Sequence, residues 1–426
     1  MRAIEQQRPT RVRYWVVVFA VTLAVISYLD RVAISFAAGS IRADLRLSEV
    51  QMGYAFSAFA WSYALFEIPA GFLGDWMGAR RVLTRIVLLW SVGTAATGWM
   101  WNFVSLAVTR FVFGAGEAGC FPNLTKAFTT WLPEDERVRA QGIMWLSARW
   151  GGAFTPPVVY LIMTRISWRH TFELLGSIGL VWVVFFYAWY RDHPRSKPGL
   201  NDAERLLLAP NEALAAGHAH VPWRKFIASR QVWLLAMQYF CASYGWYFYI
   251  TWLPTYLREA RGLELRASAL FGILPLFLGG LGSLSSGLIS APLTRITGST
   301  LHTRRWLACA GYASAAGLLV VTTHMHSHLP AMIAMGLASF SNDLAMPGSW
   351  GACMDVGGKY AGTLSGAMNM MGNIGGAVSP TAIGYILRWT HHNWDLTFYV
   401  SASVYVMAAI MWRFLDPVTP LEKSQS

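Results

Sequence analysis

The chain reads as an all-α membrane protein: twelve spanning helices arranged as two six-helix bundles. Three observations predict this. Hydrophobic residues make up 55% of the 426 residues and charged residues only 13%, with a mean hydropathy of +0.38, whereas a soluble domain carries about 25% charged residues. Apolar runs of spanning length, about 20 residues, recur from end to end. One long polar stretch, from Arg191 to Arg230, divides them six and six.

The runs lie at 14–38, 51–74, 82–101, 104–127, 138–163, 170–190, 230–254, 267–293, 305–323, 330–352, 361–387 and 395–415. The expected domains are a bundle over 1–190, a cytoplasmic linker over 191–229 and a second bundle over 230–426. The linker contains Pro194, Pro198, Pro210 and Pro222. Within it, Asn201-Asp202-Ala203-Glu204 before Arg205-Leu206-Leu207-Leu208 marks the start of a short surface helix with acids in its first turn. Arg80-Arg81, Arg137, the linker, Arg295, Arg304, Arg305 and Lys359 all fall on one side if the N-terminus is cytoplasmic. That bias puts both termini in the cytoplasm of a multi-pass plasma-membrane protein, in a bacterium the inner membrane. The segment from Arg2 to Gly39 has features of a cleaved signal peptide. Its length and its internal Asp30-Arg31 favour a retained first helix.

The net charge of +12 resides in short loops and forms no continuous stripe with interleaved aromatics, so nucleic acid is not the expected partner. Cys120, Cys241, Cys309 and Cys353 lie in apolar runs without metal-like spacing. His324, His326 and His328 alternate near an outer loop with no acid or cysteine beside them, and no metal site is expected. Gly362-x-x-x-Gly366, Gly372-x-x-x-Gly376 and Gly279-Gly280-Leu281-Gly282 are small faces on which helices approach closely. Pro156-Pro157, Pro254, Pro275 and Pro380 are expected to kink or end helices.

Ionisable residues within the apolar runs carry the functional expectation. Asp30, Arg31, Arg110, Glu117 and Arg149 sit where a charge costs about 2.5–3.5 kcal/mol on insertion scales. Such groups are expected to serve a charged solute or to be shielded in pairs; a structural Asp30–Arg31 pair and an Arg110–Glu117 clasp are the pairings to set against function. Arg110, Gly114 and Glu117 are spaced to share one helix face, as are Tyr28 and Arg31. A guanidinium pairs bidentately with a carboxylate, and a buried acid beside an arginine can load and release a proton. Lys126 is expected to snorkel from a helix end. Asn342 and Asp343 are polar at depth with no assigned role. Gly114, Gly116 and Gly119 match a dinucleotide fingerprint, but no strand precedes them. No nucleophile–base or metal constellation suggests an enzyme. A membrane sensor is disfavoured by a linker without a globular pattern.

The loop Gly71-Phe-Leu-Gly-Asp75-Trp-Met-Gly78-Ala-Arg80-Arg81 resembles the G-x-L-x-D-R-x-G-R-R signature of the major facilitator superfamily, with Trp76 in place of the usual arginine. Gly287-Leu-Ile-Ser290-Ala-Pro-Leu-Thr-Arg295 is a degraded copy in the second half, as a duplicated architecture requires. Arg110-x-x-x-Gly114-x-Gly116 resembles a second motif of that superfamily. Tyr28-Leu29-Asp30-Arg31, Gly116-Glu117-Ala118, Phe121-Pro122-Asn123, Thr251-Trp252-Leu253-Pro254-Thr255-Tyr256 and Gly357-Gly358-Lys359-Tyr360-Ala361-Gly362 resemble its anion:cation symporter family, over essentially the whole chain. That resemblance implies a monomeric secondary transporter in the lipid bilayer, without cofactors, that moves an organic anion such as a sugar acid together with protons. The alternative is a carboxylate exchanger or uniporter without proton coupling. By the resemblance, Arg31 binds the substrate carboxylate, Asp30 and Glu117 carry the proton with Arg110 beside them, and Tyr28 and Tyr63 line the cavity. Trp350 and Asn369 are contacts from the second half. Arg149 stands where sugar-acid members often have an amide, which favours a dicarboxylate or a more acidic ligand. Gly71, Asp75, Gly78, Arg80 and Arg81 form the conformational loop.

Overall fold

The computed structural model describes residues 8–215, 221–263 and 265–421; the start of the signal-like segment, Arg2 included, and part of the expected linker, 216–220, lie outside them. Regular structure among the described residues is helical. The first helices are α1 Trp15–Leu45, α2 Glu49–Met77, α3 Ala79–Thr97, α4 Phe103–Glu117, α5 Cys120–Trp131, α6 Glu134–Met163 and α7 Trp168–Trp189. Three short ones follow: α8 Asp202–Leu208, α9 Glu212–Ala215 and α10 Trp223–Ala228. The remainder are α11 Arg230–Thr251, α12 Leu253–Glu259, α13 Leu265–Thr297, α14 Thr300–Thr323, α15 His328–Asp343, α16 Met346–Gly357, α17 Ala361–Trp389 and α18 Trp394–Phe414. Three of the expected spans are therefore broken in two: α4 from α5, α11 from α12, and α15 from α16.

The breaks have local causes. Ala118 leaves the helical conformation, with ψ at 137°, and Gly119 takes a φ of +81°, a left-handed conformation that suits glycine; Pro122 then sits in the first turn of α5, where its missing N–H costs little. Between α15 and α16, Pro347 lacks the amide that would bond the carbonyl of Asp343, four residues back, and its ring crowds that carbonyl. By contrast, Pro156 and Pro157 are accommodated inside α6, Pro275 inside α13 and Pro380 inside α17. The expected linker helix is α8, capped by Asn201, whose side chain accepts from the Glu204 amide at 2.9 Å.

The chain forms two units, each as far as it is described. Residues up to Arg137, Phe154–Val221 and Gly357–Gly366 make the first; Val138–Ala153, Pro222–Val356 and the residues from Ala367 onward make the second. In the first, α2 packs on α4, and α3 on both α4 and α7. In the second, α13 packs on α15, and α14 on both α15 and α18. The same neighbour scheme thus occurs twice. Small residues, together with Ile34, Ile41, Leu106, Val159 and Phe172, form an apolar core in the first unit. Trp61, Leu65, Val108, Leu161, Val184 and Phe185 face outward, more than half exposed. Such a surface needs an apolar solvent. Six helical stretches, such as Trp168–Trp189 and Thr300–Thr323, pass a length-and-hydropathy test for crossing a membrane.

Candidate functional site

Successive residues of a helix point about 100° apart, so Asp30 and Arg31 leave α1 in different directions. Asp30 turns to α3 and is buried; its Oδ2 accepts from Trp90 Nε1 at 2.7 Å and from Thr94 Oγ1 at 3.3 Å. Arg31 turns to α4, where its Nε donates to Glu117 Oε1 at 2.8 Å. Ser27, one turn earlier, donates to the same oxygen at 2.5 Å. A structural Asp30–Arg31 pair is therefore not formed. Aromatic rings enclose the guanidinium: its carbon lies 4.3 Å from the Tyr63 ring centre, 5.6 Å from Tyr28, 5.5 Å from Phe59 and 5.9 Å from Phe121.

Only part of this pair's bonding capacity is used. Arg31 Nη2, Glu117 Oε2 and Asp30 Oδ1 are buried atoms with no hydrogen-bond partner among the described residues. Buried polar atoms are satisfied in most proteins, so the exceptions point to chemistry. One nitrogen of a guanidinium fork is open to an anionic oxygen, and one carboxylate oxygen beside it is open to a proton.

Arg110 does not clasp Glu117. It forms no ion pair among the described residues and lies between two rings, 5.0 Å from the Phe59 centre and 4.4 Å from Phe113. It remains within electrostatic reach of Glu117 and Asp30. Asp30 and Glu117 thus balance Arg31 and Arg110 in formal charge. Glu67, fully buried on α2 and one turn from Tyr63, is a fifth ionisable group that the sequence reading passed over. Its signal was an acid inside the apolar run 51–74.

The loop motif is built around Asp75. Its carboxylate accepts from the Gly362 amide at 3.1 Å, and from the Thr363 amide and hydroxyl at 2.6 and 2.7 Å. It caps the N-terminus of α17, where backbone N–H groups and the helix dipole favour an anion. Gly71 and Gly362 allow this approach, since a Cβ on either would meet the other's carbonyl oxygen. Lys126 does not snorkel: it is 2% exposed, its Nζ lies 3.4 Å from Asp75 Oδ1, and it donates to the Lys359 carbonyl at 2.6 Å. It is the cation beside Asp75, while Trp76 lies half-exposed against Phe72. Gly78 has a φ of +85°, and a Cβ there would strike the Asp192 carboxylate. The Arg80 amide donates to Asp192 Oδ1 at 2.9 Å, and its guanidinium donates to the Tyr187 carbonyl. Arg81 is exposed.

In the second unit Arg149 meets Asp343 through two bonds, Nε to Oδ2 at 2.8 Å and Nη2 to Oδ1 at 3.1 Å. Asn342 donates to Asp343 Oδ1 at 2.8 Å, which gives both residues the partners that sequence alone left unassigned. Trp350 is fully buried; its Nε1 donates to Tyr239 Oη at 3.2 Å, and its ring packs 5.3 Å from that of Trp145. Asn369 is nearly buried on α17, and its carbonyl accepts from the Asn373 side chain at 2.9 Å.

A family model described as Major Facilitator Superfamily matches residues 20–380. The chain belongs to the Major Facilitator Superfamily. It is 36% identical to the probable sulfoacetate transporter SauU of Cupriavidus necator, over 93% of this chain and 92% of that protein. It is 30% identical to the probable galactarate/D-glucarate transporter GudP of Escherichia coli, over 90% of this chain and 89% of that protein. The hexuronate transporter of Bacillus subtilis is 28% identical over 95% of this chain and 94% of its own length. The solved proton:xylose symporter XylE superposes with a TM-score of 0.75 at 12% identity, covering 96% of this chain and 97% of its own. The Escherichia coli fucose:proton symporter FucP gives 0.71 at 15% identity, covering 95% and 99%. At such identities these two speak for the fold alone. As a Major Facilitator protein the chain is a multi-pass membrane transporter and not an enzyme, and its curated relatives are of the anion-carrying type that the motifs implied.

Proposed function

We propose that this protein is a proton-coupled symporter that brings a small organic anion into the cell across a bacterial inner membrane, as a monomer with both termini cytoplasmic. The names of its relatives, carriers of sulfoacetate, glucarate and hexuronate, support an anion with one or two acidic groups as cargo. The observation that carries the reading is the half-used Arg31–Glu117 pair.

Arg31, the more exposed partner with 18% of its side chain accessible against none of Glu117, takes the acidic oxygen of the cargo on its open Nη2. Tyr28 and Tyr63 hold the guanidinium plane by ring contact. A proton arriving at Glu117 Oε2 cancels the carboxylate charge and loosens its hold on Arg31 Nε, so the fork turns wholly to the anion. For each acidic group so received, one proton offsets one negative charge, which lowers the cost of moving the loaded site through a low-dielectric interior. Asp30, held by Trp90 and Thr94, is the second acid that can take up a proton in this unit. Asp75, Lys126 and the start of α17 form the linkage that the conformational change must break and remake.

Purified protein in liposomes, supplied with labelled sulfoacetate or D-glucarate, tests this. An inward proton gradient should accelerate uptake, and a protonophore should abolish the acceleration. Arg31→Ala should abolish binding, and Glu117→Gln should exchange cargo without accumulating it. Uptake indifferent to the gradient would remove proton coupling and leave an exchanger or uniporter.

A further inference from the structure

The second unit contains another acid–guanidinium pair built on the plan of the first. Asp343 is the last residue of α15, as Glu117 is the last of α4. α15 packs on α13 and α14 as α4 packs on α2 and α3. A proline follows within five residues in each case, Pro122 and Pro347, and the helix breaks between acid and proline. In secondary transporters, broken helices that present freed backbone groups often line the binding site. The cation differs in origin. α11, the first spanning helix of the second half, offers Trp246 and Tyr249, and the guanidinium comes from Arg149 on α6, 3.8 Å from the Trp246 ring centre.

A buried pair of charges is tolerated when its surroundings satisfy the remaining donors and acceptors. Here they do not. Ser339 Oγ, Asn342 Oδ1, Trp246 Nε1, Tyr249 Oη and Tyr405 Oη belong to residues more than nine-tenths buried, and none has a hydrogen-bond partner among the described residues. The ionisable groups bearing on Asp343 are Arg149 from α6, Tyr249 from α11, Tyr312 from α14 and Tyr405 from α18. α13 brings Gly279 against it. Asp343 is thus the carboxylate paired with Arg149 in this group, and Tyr249, Tyr312 and Tyr405 are phenols. Protonation of Asp343 removes its negative charge from beside the guanidinium and the open donors.

We propose that Arg149 and Asp343 form a second proton-linked anion site: when Asp343 takes a proton from water, Arg149 passes from that carboxylate to a carboxylate or sulfonate oxygen of the cargo. The O–H bond formed at Asp343 replaces the ion pair broken there, and the charge on Arg149 is met by the incoming oxygen. This rests on the organic-anion reading above and extends it to a second proton-linked site, contained within the second unit.

Proton uptake on binding tests it, measured with a pH indicator on the full-length protein in weakly buffered micelles, with sulfoacetate as probe. At saturating sulfoacetate the wild type should take up two protons per protein, and Asp343→Asn and Glu117→Gln one each. Asparagine keeps an acceptor for Arg149, so the fold should survive; Asp343→Glu, which keeps the acid, should retain the second proton but shift the pH at which it is taken up. An Asp343→Asn count equal to wild type, or an unshifted Asp343→Glu profile, overturns the second site and leaves the first standing. If Glu117→Gln keeps the wild-type count while Asp343→Asn loses a proton, the coupling role of Glu117 fails and the second site stands.

Discussion

Asp30 and Arg31 were legible as functional candidates because a charge in an apolar run is costly and must have a reason. Their partners were not legible. The direction of a side chain follows from its helical phase, and its partner from which helix lies in that direction; Trp90 is 60 residues from Asp30 and Glu117 is 86 from Arg31. Lys126 shows the same gap: helix-end position suggested snorkelling, whereas the buried Asp75 carboxylate draws it inward. The Trp90–Asp30 bond is a neutral donor on a buried carboxylate, worth about 2 kcal/mol. Trp90→Phe keeps the ring and removes the donor, so it should lower the melting temperature in detergent. It should also make uptake more sensitive to external pH, since Thr94 is then the remaining hydrogen-bond donor to the Asp30 carboxylate. A melting curve and a pH profile unchanged from wild type would show that this bond contributes nothing.

At the level of helices, the breaks were the hidden feature. The apolar runs at 104–127 and 330–352 read as continuous because hydropathy averages over a window and ignores backbone hydrogen bonds. Gly119 and Pro347 mark the breaks locally, but glycine and proline also occur within unbroken α2 and α13, so neither residue type is sufficient. Gly119→Ala tests the first break. A left-handed residue other than glycine costs about 1–2 kcal/mol, and the added methyl would press on Ala70. The variant should melt earlier and lose transport more than stability, because the turn places Glu117. Equal stability and full transport would show that the turn tolerates a side chain. Asp192, beyond the end of α7, offers a pH test. Burial raises its pKa, against the lowering effects of the Arg80 amide and of His193. A carboxyl whose folded pKa is raised prefers to be protonated when folded, so its ionisation costs stability at neutral pH and the cost disappears as pH falls. Asp192→Asn keeps the acceptor for the Arg80 amide. It should melt higher than wild type near pH 7 and converge with it in acid; a gap that widens on acidification would reverse the assignment.

Over the whole molecule, contacts distant in sequence hold each unit together. In the first, Arg13 bonds Glu136 through Nε and Nη2 at 2.9 and 2.8 Å, and Glu204 through Nη1 at 3.0 Å. The N-terminal segment is thereby tied to the start of α6 and to α8. The Glu136 hydrogen bonds raise the Arg13 pKa against the lowering effect of its burial, and Glu204 adds to the rise. Its contribution is therefore complete below the ordinary arginine value and persists through any practical pH. Arg13→Ala leaves Glu204 buried without its cation, a loss of about 3 kcal/mol. Thermal unfolding across neutral and mildly alkaline pH should show that loss at a constant size. Arg13 gave no such signal in the sequence, where it was one of several basic residues before the first apolar run.

Composition, run length and motif spacing were sufficient for the fold class, the superfamily and most of the buried charges, Glu67 and Lys126 excepted. These depend on sums over neighbouring residues and on a bilayer that accepts only closed backbone hydrogen bonding. Which charge meets which, where helices break, and that two arginine–acid pairs share one plan were decided only by the tertiary structure. Each pairing joins residues tens to hundreds of positions apart, and electrostatics in a low-dielectric interior acts over a few ångströms of space, whatever the distance along the chain.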